Sequence, residues 1–123
     1  MSRAVERWVR RVRQPAVSDL AELEVIAAIA RKARDQTMSQ EDGRKVAATF
    51  LAHLEGGYYT RVPVGREHYR LARDWIGRFE IPLSTLDALH LAVSSLAGLQ
   101  LATADRGLAR HARAVGARVL RIP

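Results

Sequence analysis

Hydrophobic positions recur at helical spacing through most of the chain, and short β-branched or aromatic runs separate the helical stretches. Val5, Trp8, Val9 and Val12 predict a helix over 2–13, which Pro15 ends. Ala16-Val17-Ser18 reads as a very short apolar strand or a turn, and Ser18 or Asp19 can cap the helix that follows over 20–34. That helix carries Leu20, Leu23, Ile26, Ala27 and Ala30 on one side and Val25 and Ile29 on the other, so it is expected to be buried on both sides, within the domain or against a partner. A third helix opens at Met38-Ser39, with Ser39 and Asp42 in capping-box spacing and a stripe of Val46, Ala47, Phe50, Leu51 and Leu54. Gly56-Gly57 stops it, and 58–62 has the content of a strand.

Pro63 and Gly65 turn the chain into a fourth helix whose covered side is predicted as Leu71, Ala72, Trp75, Ile76 and Phe79. Ile81-Pro82 breaks it. A helix over 85–97, a strand over 99–103, a helix over 106–114 and a last strand over 118–122 complete the pattern. Strands alternating with helices through short turns imply an α/β domain: a mostly parallel central sheet flanked by helices, formed by residues 1–123 as a single domain.

Composition narrows the chemistry. The 123 residues contain no cysteine, which removes disulfides, thiolate zinc sites and cysteine nucleophiles together. No stretch has the length of a signal peptide or a membrane span, so a soluble, cytoplasmic protein is expected. The net charge of +7 is carried almost wholly by arginine, Lys32 and Lys45 being the only lysines. A basic domain suits a polyanion such as nucleic acid, or an acidic protein; an arginine-rich composition also follows from a GC-rich genome.

Three places offer carboxylates. Ser84 and Asp87 stand in capping-box spacing, yet Asp87 shares its side of the helix with His90 and Ser94, while Leu86, Leu89, Val93 and Leu96 form another side. Asp105 follows the strand over 99–103 and precedes a helix; it is placed to cap, and the C-terminal end of a parallel strand is also where α/β folds present catalytic groups. Thr103 brings a hydroxyl to the same edge. Earlier, Glu22 falls at the capping-box position if Asp19 is the cap, and Glu24 borders the apolar stripe; periodicity does not choose between them. Clustered carboxylates without cysteine or paired histidines favour a hard cation such as Mg²⁺ or Mn²⁺. Such an ion lowers the pKa of a bound water and offsets charge on a phosphodiester. His53, His68, His90 and His111 fit neither a triad nor a zinc pattern and are read as structural or surface residues.

The segments 17–25, 86–92 and 103–109, with 115–119 in similar style, resemble the PIN-domain ribonucleases, in particular the VapC-type toxins of bacterial toxin–antitoxin pairs. The resemblance covers the chain from about Ala16. Its register assigns the family acids to Glu24, Asp87 and Asp105, as metal ligands for Mg²⁺ or Mn²⁺, with Thr103 in support. It implies a three-layer PIN-like fold, hydrolysis of RNA, surface arginines on the RNA backbone, and a cognate antitoxin that binds and blocks the enzyme.

One departure stands out. The family opens with an apolar strand ending in an aspartate, and 1–13 resembles the helix that follows it. The expectation is therefore a domain N-terminally truncated relative to the family, lacking the first central strand and its acid. Weaker metal binding, reduced activity, and homodimerisation or partner pairing over the gap would follow. The alternative is a catalytically impaired PIN-like module that binds antitoxin or RNA without cleaving.

Overall fold

A computed structural model describes residues 14–123, together with Arg7, Arg11 and Val12. The apolar positions Val5, Trp8 and Val9 of the predicted first helix lie outside the described residues. The chain folds as two compact units, one of Arg13–Pro63 and the other built on Val64–Pro123.

In the first unit, β1 (Ala16–Ser18) leads into α1 (Asp19–Arg34), then α2 (Gln40–Glu55) and β2 (Thr60–Val62). β1 and β2 are parallel, with Ala16 opposite Thr60 and Ser18 opposite Val62. Ser18 is the cap of α1: its Oγ accepts from Ala21 N–H at 3.0 Å. Ser39 does the same for α2, accepting from Asp42 N–H at 3.1 Å. Both helices end by turning one residue left-handed, Gln36 at φ 65° and Gly57 at φ 76°. This lets Thr37 N–H reach Lys32 O and Tyr58 N–H reach His53 O, satisfying carbonyls of the last turn. Tyr58 and Tyr59 are consequently part of a helix end and not of the strand predicted from 58.

Within the first unit α1 is only partly covered. None of its residues is fully buried, and Leu23 is 67 % exposed. Leu20, Val25, Ile26, Ala28, Ile29 and Ala33 are half-buried, and α2 comes close where Gly43 has no side chain; a Cβ there would lie 3.5 Å from Ile29 and 3.8 Å from Ala33. Val46 and Leu51 of the predicted α2 stripe are likewise exposed, whereas Leu54 is buried.

The second unit contains α3 (Arg66–Ile76), α4 (Thr85–Leu96), β3 (Leu101–Thr103), α5 (Arg106–Ala114) and β4 (Val119–Arg121). Its core joins Ala72 and Trp75 of α3, Ala88, Leu91 and Ala92 of α4, Leu108 and Ala112 of α5, and Leu83. The alanines let the helices approach closely around Leu91, the largest fully buried side chain. Truncating such a leucine costs about 2–5 kcal/mol. Leu101 and Val119 pack on this cluster from the parallel β3–β4 pair. Phe79 does not join it: α3 stops at Ile76 with Gly77 as its cap, and Phe79 sits beyond, at φ 59° and 93 % exposed.

The fold is thus mixed α/β with five helices and short parallel strands, among the described residues. Among the described residues the strands pair as β1–β2 and β3–β4, both parallel. Each strand is three residues long; α1 and α2 lie between β1 and β2 in the chain, and α5 lies between β3 and β4. No helix among the described residues is long and apolar enough to cross a membrane.

Candidate active site

Asp87, Thr103 and Asp105 all belong to the second unit. α4 and β3 are consecutive in the chain, joined by a turn with Gly98 at φ 68°. Asp87 lies in the first turn of α4, and Thr103 and Asp105 lie where β3 finishes, the kind of position at which parallel α/β units present their chemistry.

Asp87 occupies that first turn. Ser84 caps the helix, its Oγ accepting from Asp87 N–H at 3.2 Å. The cap is made through the Asp87 backbone, so this hydrogen bond leaves the carboxylate out. The side of α4 that Asp87 shares with His90 and Ser94 is not a solvent face: Asp87 and His90 are half-buried and Ser94 is buried, its hydroxyl donating to Leu91 O at 3.1 Å. Leu86 and Leu96, by contrast, are about half exposed, so the predicted apolar side is covered only at Leu89 and Val93. An acid at the outer end of an inward-facing side is unlike an acid placed for solubility.

Thr103 and Asp105 stand at the end of β3. Thr103 closes β3, and its Oγ1 accepts from Asp105 N–H at 3.1 Å. Asp105 then caps α5, with Oδ1 accepting from Leu108 N–H at 3.0 Å. The capping role foreseen for Asp105 is real, and it uses one carboxylate oxygen of two. Gly107 keeps space around that oxygen, since a Cβ there would come within 3.2 Å of Oδ1. Sequence reasoning missed a neighbour of this pair. In the parallel register Arg121 lies beside Thr103. Leu101 and Val119 face the core, so Thr103 and Arg121, two residues on, share that side of the strands at its end.

Glu24 belongs to the first unit, half-buried on α1 and engaged in an interaction of its own. Glu22 is distinguished from it by structure. With Ser18 as the cap, Glu22 is one residue past the capping-box position, and it pairs with Arg61 of β2 at 2.7 Å. Arg61 also reaches Glu55 at 3.4 Å, so these charges tie helix to strand. His68 is structural as read: it is buried, and its Nδ1 accepts from Gly65 N–H at 2.7 Å at the start of α3.

Between α1 and α2 the first unit holds an apolar cavity of about 360 Å³, lined by Ile26, Ile29, Ala33 and Ala47, with Arg34 and Arg44 at its margin. It contains no carboxylate. Asp87, Asp105 and Thr103 offer only oxygen donors, the kind Mg²⁺ and Mn²⁺ take, so their chemistry fits such an ion. No group of three or more His, Cys, Asp or Glu side chains placed to hold one ion occurs among the described residues.

The PIN domain family model matches residues 1–114, and the chain belongs to that family. No curated protein matches it. PIN domains are generally metal-dependent nucleases, and the α/β units with acids at a strand end agree with a nuclease-like role in general terms.

Proposed function

We propose that this chain is a metal-dependent endoribonuclease, the toxin of a bacterial toxin–antitoxin pair, acting in the cytoplasm on RNA and blocked by a cognate antitoxin. The observation that supports the reading is the Thr103–Asp105 pair at the end of β3, in the same unit as Asp87 in the first turn of α4. On this reading Asp87 and Asp105 hold Mg²⁺ or Mn²⁺ through carboxylate oxygens, and Glu24 is the third acid that the family register assigns. The bound ion supplies a water of lowered pKa and offsets charge on the phosphodiester. Thr103 orients Asp105 through its backbone N–H, and arginines hold the RNA backbone. The test is RNA cleavage with Mg²⁺ or Mn²⁺ by wild type, Asp87→Asn and Glu24→Gln. Loss of about a hundredfold or more in each variant is expected; cleavage that survives chelator and both substitutions sinks the assignment.

A second reading rests on the surface of α1. Leu23 is 67 % exposed, with Ala27 and Ala30 exposed on its side of the helix. That face suits a module that binds an antitoxin, or a second copy of the chain, without cleaving RNA. Leu23→Asp is then expected to abolish that association and leave the monomer folded. Unchanged mass by light scattering, with unchanged antitoxin capture, would remove this reading.

A further inference from the structure

The net charge is not spread evenly. Residues 13–63 hold seven Lys and Arg against seven Asp and Glu, whereas 64–123 hold nine arginines against five acids. In this second unit two helices carry arginines one turn apart. On α3 these are Arg66, Arg70 and Arg73, interleaved with Glu67 and Asp74, and Arg73 lies 3.3 Å from Asp74. On α5 they are Arg106, Arg110 and Arg113, and the helix contains no acid at all.

α5 is sharply divided. Leu108, Ala109 and Ala112 are buried in the core, and all three arginines are exposed. Among the described residues none of the three has an ion-pair partner. Like charges at i,i+4 on a helix oppose its formation, so the Arg106–Arg110 pair on this nine-residue helix is not explained by helix stability. The successive arginines lie roughly 4.5–6 Å apart along the axis, from the rise of 1.5 Å per residue. Arg106 follows Asp105 directly, and exposed Arg121 stands beside Thr103 in the β3–β4 register.

We propose that Arg121, Arg106, Arg110 and Arg113 form a phosphate-binding strip that leads from the Thr103–Asp105 edge along α5 and takes the backbone of single-stranded RNA. A row one side chain wide follows one strand. Each guanidinium meets a phosphate oxygen with a forked pair of donors, and the strip delivers the strand to the acids at its end. This rests on the ribonuclease reading for its purpose, but the binding itself does not depend on cleavage.

The experiment is fluorescence anisotropy of a labelled polyuridine strand with the full chain in chelator, across a salt series. Two triple variants remove equal charge: R106Q/R110Q/R113Q on α5 and R66Q/R70Q/R73Q on α3. The α5 variant is expected to bind at least tenfold more weakly, with the slope of log affinity against log salt shallower by about 2, at roughly 0.7 per phosphate contact on a single strand. The α3 variant is expected to stay within about twofold of wild type. Removing repulsion leaves the melting temperature of the α5 variant unchanged or higher. If that variant fails to fold, the single variants R110Q, R113Q and R121Q replace it, each shallower in slope by about 0.7. Wild-type affinity in the α5 variants, or an equal loss in the α3 variant, overturns the strip; the first result is also what an acidic protein partner for α5 would give. Wild type that binds through α5 yet never cleaves with metal overturns the ribonuclease reading and leaves the strip standing.

Discussion

Thr103 and Asp105 are joined through the backbone: Asp105 N–H donates to Thr103 Oγ1 at 3.1 Å, while Asp105 Oδ1 accepts from Leu108 N–H at 3.0 Å. The last residue of β3 thereby fixes the first turn of α5, and the carboxylate between them has one oxygen in the cap and one beyond it. Thr103→Val removes the acceptor and leaves the Asp105 N–H without that partner. The expected cost is about 0.5–1.5 kcal/mol in thermal or denaturant unfolding. Cleavage is expected to fall with it, and Thr103→Ser to restore both. A valine variant with full activity would show that Thr103 does not orient Asp105.

Phe79 holds a conformation its side chain does not repay. It is left-handed at φ 59° and 93 % exposed, so it has the steric penalty of that region and almost no packing. Phe79→Gly relieves the penalty, and glycine's extra freedom in the unfolded chain offsets part of the gain. A net increase on the order of 0.5–1 kcal/mol is expected in urea unfolding. A destabilised variant would mean that the ring packs in solution.

Asp35 offers a titration prediction. Hydrogen bonds from the Thr37 hydroxyl and backbone N–H hold its carboxyl below the ordinary carboxylate value, with Arg31 and Lys32 adding to the effect. A depressed folded pKa means that the stabilisation is full above the unfolded value and is lost as pH falls through the folded one. Thr37→Val removes the largest cause, so NMR titration is expected to place Asp35 higher than in wild type. An unchanged Asp35 titration would show that the hydroxyl bond is not formed.

Much of this architecture was legible from residue order. Ser18, Ser39 and Ser84 each precede a periodic run and each caps its helix, because a short hydroxyl is what an exposed helix start needs. Asp105 was legible as both cap and strand end for the same local reason. Phe79 was not, since helical spacing continues in the sequence past Gly77 while the helix itself stops at Ile76. Nor was the exposure of Leu23, which depends on where α2 approaches, and that is decided by Gly43, a residue with no hydrophobic signature. The inward direction of the Asp87–Ser94 side was equally hidden, because polar residues on a wheel look alike whether they face water or a neighbouring helix. Arg121 became visible only once the β3–β4 register was known.

The central claim is that Asp105 serves chemistry as well as the cap, and Asp105→Asn tests it most directly. Asparagine is as good a cap as aspartate, so its Oδ1 keeps the bond to Leu108 N–H while the negative charge is lost. Measured side by side, unfolding is expected to stay within about 0.5 kcal/mol of wild type, whereas Asp105→Ala loses about 0.5–2 kcal/mol. RNA cleavage with Mn²⁺ is expected to drop by about a hundredfold or more in both. Asp105→Asn that is stable and cleaves RNA at the wild-type rate would contradict the account and leave Asp105 a cap alone.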